Sequence, residues 1–159
     1  MKKVIIIALV AIVAVLGIVL VLTSGGSEEK PILTTQELYN KISENVTLPT
    51  EMVSRNSEEL DMRYGIDPTK AQDFIFMANA TSYYVDTIAI FKIENADDRE
   101  TVKEQLSTIK QQAMNSMNNY DAEQYKIATD GEVITSGNYV CLFMTSDVSK
   151  VKSTFKDNI

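Results

Sequence analysis

An uninterrupted apolar segment at residues 4–22 is the most distinctive pattern in the sequence. It contains no charged or strongly polar side chain, and only Met1, Lys2 and Lys3 precede it. At about 1.5 Å of rise per residue, a helix of this length spans about 28 Å, close to the roughly 30 Å hydrocarbon core of a bilayer. A lone segment in lipid must satisfy its own backbone hydrogen bonds, which only a helix does. The pattern therefore predicts a transmembrane helix.

The charges that flank this segment predict its orientation. Lys2 and Lys3 precede it, and the positive-inside rule keeps them in the cytoplasm. We therefore assign residues 1–22 to a cytoplasmic start and membrane anchor, residues 23–33 to a flexible tether, and residues 34–159 to one extracytoplasmic α+β domain. The expected location is the cell membrane, with a single pass and lipid contacts through residues 4–22.

Three other N-terminal arrangements fit this sequence less well than an uncleaved anchor. Signal peptides usually have a shorter apolar region of about 7–15 residues, and no A-x-A-like cleavage site stands out, although cleavage and secretion stay an alternative. Lipidation needs a cysteine just after the apolar run, whereas the single cysteine is Cys141. A pilin-like start needs an early glutamate and a glycine-then-aromatic processing site, and neither is present.

Beyond the tether, alternating apolar and polar positions predict a series of helices and strands. Thr34 and Glu37 form a capping-box pattern before the first helix, and Gly137-Asn138 is a two-residue hairpin signal. Helices are predicted at residues 35–45, 57–64, 97–120 and 148–159, and strands at residues 73–78, 83–93, 125–128, 133–136 and 139–145.

This order of elements favours an α+β fold. Hairpins joined by helices predict an antiparallel sheet of four to five strands, with helices packed mainly on one face. On the second face of strand 83–93, Ile88 and Ile90 lie between Asp86 and Lys92. We therefore expect that face to be only partly covered.

Several short motifs, taken in order, resemble a known family. They are Leu48-Pro49, Tyr64-Gly65-Ile66-Asp67, the strand 88–92, a long amphipathic helix reaching Tyr120, and Gly137-Asn138-Tyr139-Val140. Over most of residues 35–155 this order resembles the bacterial domain of unknown function family 4358. The resemblance implies an extracytoplasmic protein of Gram-positive bacteria, and many members of the family are lipoproteins. The lipobox cysteine is missing here, so the apolar helix is left as the anchor. The resemblance implies no assigned activity and no catalytic residue.

Composition excludes several classes of partner and cofactor. Two of the 15 basic residues precede the anchor, which leaves 13 against 22 acidic residues, a net charge of −9. Nucleic acid and anionic lipid surfaces both call for clusters of Lys and Arg, so neither is an expected partner. With no histidine and one cysteine, common zinc sites and an internal disulfide are excluded, and we expect no cofactor.

The candidate reactive residues have simpler structural explanations. Cys141 alternates with aromatic residues and has no histidine to deprotonate it, which favours a buried packing role. The acidic group around residues 97–104 matches no calcium-loop spacing, which favours a helix cap and a solvated face; it consists of Asp97, Asp98, Glu100 and Glu104. Glu58, Glu59 and Asp61 point to different sides of a helix, so a hydrolytic pair would need a carboxylate from elsewhere.

Tyrosine is the residue type that best indicates a binding surface. Seven of the twelve aromatic residues are tyrosine and none is tryptophan. Tyrosine suits interfaces because it combines an apolar ring with a polar tip. The candidate interaction surface therefore comprises Tyr64, Tyr83, Tyr84, Tyr120, Tyr125 and Tyr139. The alternative is that most of these rings simply edge the core.

Together these observations predict a single-pass, membrane-anchored extracytoplasmic protein that acts as a cell-envelope binding or interaction module. Its expected partner is an envelope protein, peptide or glycan. Because no catalytic motif is present, a non-enzymatic role is favoured. The alternatives are a carboxylate-dependent cell-wall hydrolase and a structural subunit of an envelope complex.

Overall fold

The computed structural model describes residues 32–159. The predicted membrane anchor at residues 4–22 and most of the predicted tether lie outside the described residues. Within residues 32–159, the structure contains no helix with both the length and the apolar character needed to span a bilayer.

Residues 32–159 contain five α-helices and five strands. The helices are α1 (Thr35–Asn45), α2 (Ser57–Tyr64), α3 (Ala96–Met117), α4 (Ala122–Asp130) and α5 (Val148–Asp157). The strands are β1 (Met52–Ser54), β2 (Asp73–Asn79), β3 (Thr87–Lys92), β4 (Glu132–Ser136) and β5 (Tyr139–Met144). A short 3-10 helix, Pro68–Lys70, precedes β2.

The five strands form one antiparallel sheet in the order β1-β2-β3-β5-β4. At its centre β3 pairs with β5, from Thr87 opposite Met144 to Lys92 opposite Tyr139. The predicted α+β class with an antiparallel sheet and helices is therefore confirmed. This register also places the start of β3 and the end of β5 at the same end of the sheet.

Helices cover both faces of the sheet, so the prediction that they pack mainly on one face is wrong. On the first face, buried side chains of β2, β3 and β5 pack in one cluster with residues of α2, α3 and α4. On the second face, Ile88 and Ile90 of β3 are fully buried in a cluster that includes α1 and α5. The physical reason is that β3 is apolar on both sides, and a central strand of this kind requires cover on each of them.

Residues 122–130 form helix α4, where a short strand at residues 125–128 was predicted. Asp121 caps this helix by accepting hydrogen bonds from the backbone N–H groups of Glu123 and Gln124, both at 2.9 Å. Gln124, Ile127 and Ala128 are buried at the i, i+3, i+4 spacing of one helical face. The four-residue segment at residues 125–128 is too short for its pattern to distinguish a strand from a helix.

Most helix ends lie where local sequence signals predict them. Thr34 and Glu37 make the predicted capping box of α1. Asn56, rather than Ser57, caps α2, which ends at Gly65 in the left-handed conformation (φ 63°). The three-residue edge strand β1 was not predicted.

The connection between β2 and β3 is a loop of residues 80–86 (the 80–86 loop), longer than the predicted hairpin at residues 79–82. The Asn79 backbone N–H donates to the Asp86 carbonyl at 3.0 Å, which closes the base of the loop. Asn79 Oδ1 accepts from the Thr81 N–H at 3.1 Å and from its hydroxyl. Strand β3 therefore begins at Thr87, although aromatic and β-branched residues favoured a strand from Tyr83.

Candidate binding site

Two neighbouring clefts flank the 80–86 loop at one end of the sheet. The first, of about 410 Å³, has Arg55 and Arg63 in its wall, and we call it the arginine cleft. The second, of about 370 Å³, is lined by Glu51, Glu123 and Asp86, and we call it the acidic cleft. Both clefts are also lined by Asn79 and Tyr84, and Asp86 belongs to both.

The arginine cleft is lined by both apolar and basic side chains. Glu59 partly neutralises the charge of the two arginines. Arg55 Nη2 donates to the Asn79 carbonyl at 2.8 Å, and its Nη1 lies 3.3 Å from Glu59 Oε1. Arg63 Nε lies 4.0 Å from the same oxygen, and its side chain is largely exposed. Arg55 therefore ties the start of α2 to the end of β2, while the largely exposed side chain of Arg63 remains accessible to a ligand.

Asp86 is a buried carboxylate at the junction of the two clefts. Only 4% of its surface is exposed. Burial raises the pKa of this carboxyl and the nearby negative charge of Glu123 adds to the increase, whereas its own backbone N–H and the Thr145 hydroxyl lower the pKa in part. The Thr145 Oγ1 is buried and makes no hydrogen bond of standard geometry within residues 32–159, although it lies close enough to Asp86 to affect its pKa.

Gln124 of α4 holds the end of the 80–86 loop. Its Oε1 accepts a hydrogen bond from the Val85 backbone N–H at 2.9 Å, and both residues are buried. A buried amide N–H without a partner is costly, so this contact fixes the loop against α4 and directs Asp86 into the clefts. Sequence reasoning missed Gln124 because it precedes a segment that was assigned to a strand.

The structure brings some of the predicted tyrosines together and separates others. Tyr64 lines the arginine cleft, with its ring centroid 4.6 Å from that of Phe76. Tyr84 lines both clefts and is 50% exposed, and Tyr83, directly before it in the loop, is more exposed still. These three tyrosines therefore lie at or next to the clefts.

The remaining tyrosines lie elsewhere. Tyr120 follows α3, and Tyr125 is in α4; both are exposed, and neither lines the two clefts. Tyr139 begins β5, about 17 Å of strand from the Asp86 end of the sheet. Its ring packs edge-on against Phe155 at 5.7 Å, and burial raises the pKa of its hydroxyl. Tyr139 is therefore a core-edge residue.

The other candidate reactive residues have structural roles. Cys141 is fully buried, and burial raises the pKa of its thiol well above the usual value, so the predicted packing role is confirmed. Glu59 serves the capping box of α2 and the ion pair with Arg55. Asp98 lies in the first turn of α3 and pairs with Lys70. Among residues 32–159, no group of three or more acidic or cysteine side chains is placed to hold a metal ion.

The fold and the clefts define a class of small domain, in which an antiparallel sheet lies between two layers of helices and carries a polar cleft pair at one end. Over residues 44–145 the chain matches the family described as "Domain of unknown function (DUF4358)", and it belongs to that family. The match runs from the end of α1 to Thr145; it contains every residue that lines the arginine cleft and all of those that line the acidic cleft except Ser146. It confirms the resemblance found in the sequence. No curated protein and no solved structure matches the chain.

Proposed function

We propose that this chain is a single-pass, membrane-anchored binding module of the bacterial cell envelope, with its ligand in the clefts beside the 80–86 loop. The apolar segment at residues 4–22 supports the anchor, since its length and its flanking lysines fit a bilayer span with the domain outside. The bound partner is an envelope protein, peptide or glycan.

The junction of the two clefts is the observation that carries this proposal. Asn79 and Asp86 are more than nine-tenths buried there, yet both line open space, and Tyr84 stands half exposed beside them. Ligand sites combine a concave surface with a few convergent polar groups, and tyrosine is enriched where proteins bind partners.

Retention of envelope material by the purified full chain tests the binding role. Ser82 is exposed and lines the arginine cleft, so Ser82→Trp places a bulky ring at its mouth. Ser153→Trp on α5 is the matched control, because it adds the same ring to an exposed position that lines neither of the two clefts. We expect the wild type and Ser153→Trp to retain a common component of envelope extract that Ser82→Trp loses. Equal retention by all three proteins, or by none, would contradict the proposal.

The N-terminal mass of the native protein tests the anchor. We expect an intact N-terminus in the membrane fraction. A mature N-terminus near Gly25 or Gly26 in the culture supernatant would instead identify a secreted domain, and the bilayer would no longer restrict the choice of partner.

One observation favours the hydrolase as a second candidate. Burial raises the pKa of Asp86, which lies near Glu123, and glycoside hydrolysis uses a pair of carboxyl groups of which one has a raised pKa. Incubation of the full chain with purified cell wall tests this role. Soluble fragments that appear with the wild type and not with Glu123→Gln would support hydrolysis. If the wild type releases no fragments, the hydrolase candidate is wrong.

A further inference from the structure

The acidic cleft contains a buried carboxyl group, that of Asp86, without a protein counter-ion. Asp86 is 4% exposed, and none of the ion pairs within residues 32–159 includes it. No Lys or Arg of the described chain lines this cleft. A buried carboxylate is costly unless it is neutralised or paired. The arrangement therefore leaves a position for a cation supplied from outside.

In the arginine cleft, the guanidinium group of Arg55 already has partners within the protein. Arg55 directs Nη1 to Glu59 and Nη2 to the Asn79 carbonyl, and its buried Nε has no hydrogen-bond partner within residues 32–159. The guanidinium therefore holds the edge of the sheet and does not neutralise Asp86.

The remaining charges around the acidic cleft also favour a cation. Glu51 and Glu123 line the same cleft as Asp86. The N-terminus of α4 would by itself attract an anion, but its N–H groups at Glu123 and Gln124 already donate to Asp121. An anionic ligand would thus meet three carboxylates and no free donor from the helix.

The shape and lining of the cleft indicate an organic cation. Pro49 and Ile127 provide apolar wall for an aliphatic or ring portion, and Tyr84 presents a half-exposed ring, which attracts cations through its face. The carboxylates of the cleft do not form a group that converges on one point, as metal ligands must. The volume of about 370 Å³ accommodates a small polar group with its stem.

We infer that the acidic cleft binds a ligand through a primary ammonium group, with Asp86 as its counter-ion and Tyr84 beside it. This inference rests on the proposed binding function and specifies the chemistry of the ligand. Peptide side chains and amino sugars both carry such a group, so the shared ammonium is the recognised feature.

Two small probes test the inference on the full chain in micelles of a non-ionic detergent. Nα-acetyl-lysine amide carries an ammonium on an aliphatic stem, and glucosamine carries one on a sugar ring. Each is compared with the same compound acetylated on its amine. Binding is followed by the backbone amide NMR signals of Val85, Asp86 and Thr87, together with a dissociation constant.

We expect at least one amine, and neither acetylated compound, to shift these signals. A preference for one probe assigns the ammonium to a peptide or to an amino sugar. Asp86→Asn should weaken binding by about ten- to a hundredfold, the value of a hydrogen bond to a charged group. Glu104→Gln removes one exposed carboxylate of α3 away from the clefts and should leave affinity unchanged.

Three results would overturn the inference: no binding of either amine up to its solubility limit, equal binding of the acetylated compounds, or equal affinity of Asp86→Asn and Glu104→Gln. If Asp86→Asn fails to fold, Glu123→Gln replaces it, with a smaller loss expected. These results are separable from the fate of the proposed function. If Ser82→Trp loses envelope retention and no amine binds, only the inference about the ammonium group is wrong. If the wild type retains no envelope component, the proposed binding function itself is wrong.

Discussion

Gln124→Ala should loosen the 80–86 loop and lower the stability of the whole domain. The substitution removes the acceptor for the Val85 N–H, a hydrogen bond of 2.9 Å between two buried residues. Alanine cannot replace this acceptor, so the N–H is left buried and unpaired.

The expected loss follows from that unpaired donor. Leaving a buried donor unsatisfied costs about 1–3 kcal/mol. Alanine is a better helix former than glutamine by a few tenths of a kcal/mol, which offsets only a small part of the loss. For a domain of about 130 residues, the entropy of unfolding converts this cost to a decrease in Tm of about 4–11 °C.

Thermal unfolding of the full chain in detergent, followed by circular dichroism, measures this change. Gln111→Ala is the matched control, because Gln111 is an exposed glutamine of α3 and gains the same helix propensity. Hydrogen exchange of the Val85 amide should accelerate in Gln124→Ala and not in the control. Equal Tm values for the two variants, with unchanged exchange at Val85, would refute the role assigned to Gln124.

Three further predictions concern the core and the buried acid. Asp86→Asn should be more stable than the wild type at neutral pH: the pKa of Asp86 is raised in the folded state, so wild-type stability falls as pH rises above the unfolded value of about 3.9. Urea unfolding from pH 4 to pH 8 should show the variant's advantage growing with pH, and an advantage that shrinks with pH would contradict this. Phe155→Ala should cost about 3–5 kcal/mol in urea unfolding, because its fully buried ring lies against Phe143 and Tyr139, while Ser153→Ala should change stability by less than about 0.5 kcal/mol; a loss for Phe155→Ala as small as that of its control would argue against the second helical layer. Cys141 should react with a thiol reagent only as fast as the domain unfolds, since it is fully buried with a raised pKa, and rapid labelling of the native protein would contradict its placement.

The elements that sequence reasoning located correctly have strong local signals. The capping box at Thr34 and the apolar stripe that follows it specify α1, and the length of the stripe in α3 excludes a strand. Gly137-Asn138 fixes the β4–β5 hairpin, with Gly137 at a positive φ of 57°. These features depend only on neighbouring residues, so the sequence is sufficient to predict them.

The elements that were missed depend on contacts between distant parts of the chain. Helix α4 contains only a short apolar run, and its burial against α3 decides its conformation. The β-forming residues of the 80–86 loop are held out of the strand because Val85 bonds to Gln124 and Asn79 bonds to Asp86. Local propensity favoured the strand, and tertiary hydrogen bonds overrode it.

The candidate site was predicted only in part, for the same reason. Tyrosine content pointed to Tyr64, Tyr83 and Tyr84, which lie at or beside the clefts. Asp86 carried no signal of its own, because in the sequence it is one polar residue on a partly covered strand face. Its importance arises from the packing of the loop between α3 and α4, which removes it from water without giving it a counter-ion.

Photo-crosslinking in living cells tests the central claim most directly, that the partner of this protein occupies the clefts beside the 80–86 loop. A photoreactive phenylalanine analogue is placed at Tyr84, at the junction of the clefts, or at Lys156, an exposed position of α5. The account predicts one recurrent adduct at position 84 that is absent at position 156 and is lost when Ser82→Trp is added. The same adducts at both positions, or an adduct at position 84 that survives Ser82→Trp, would contradict it.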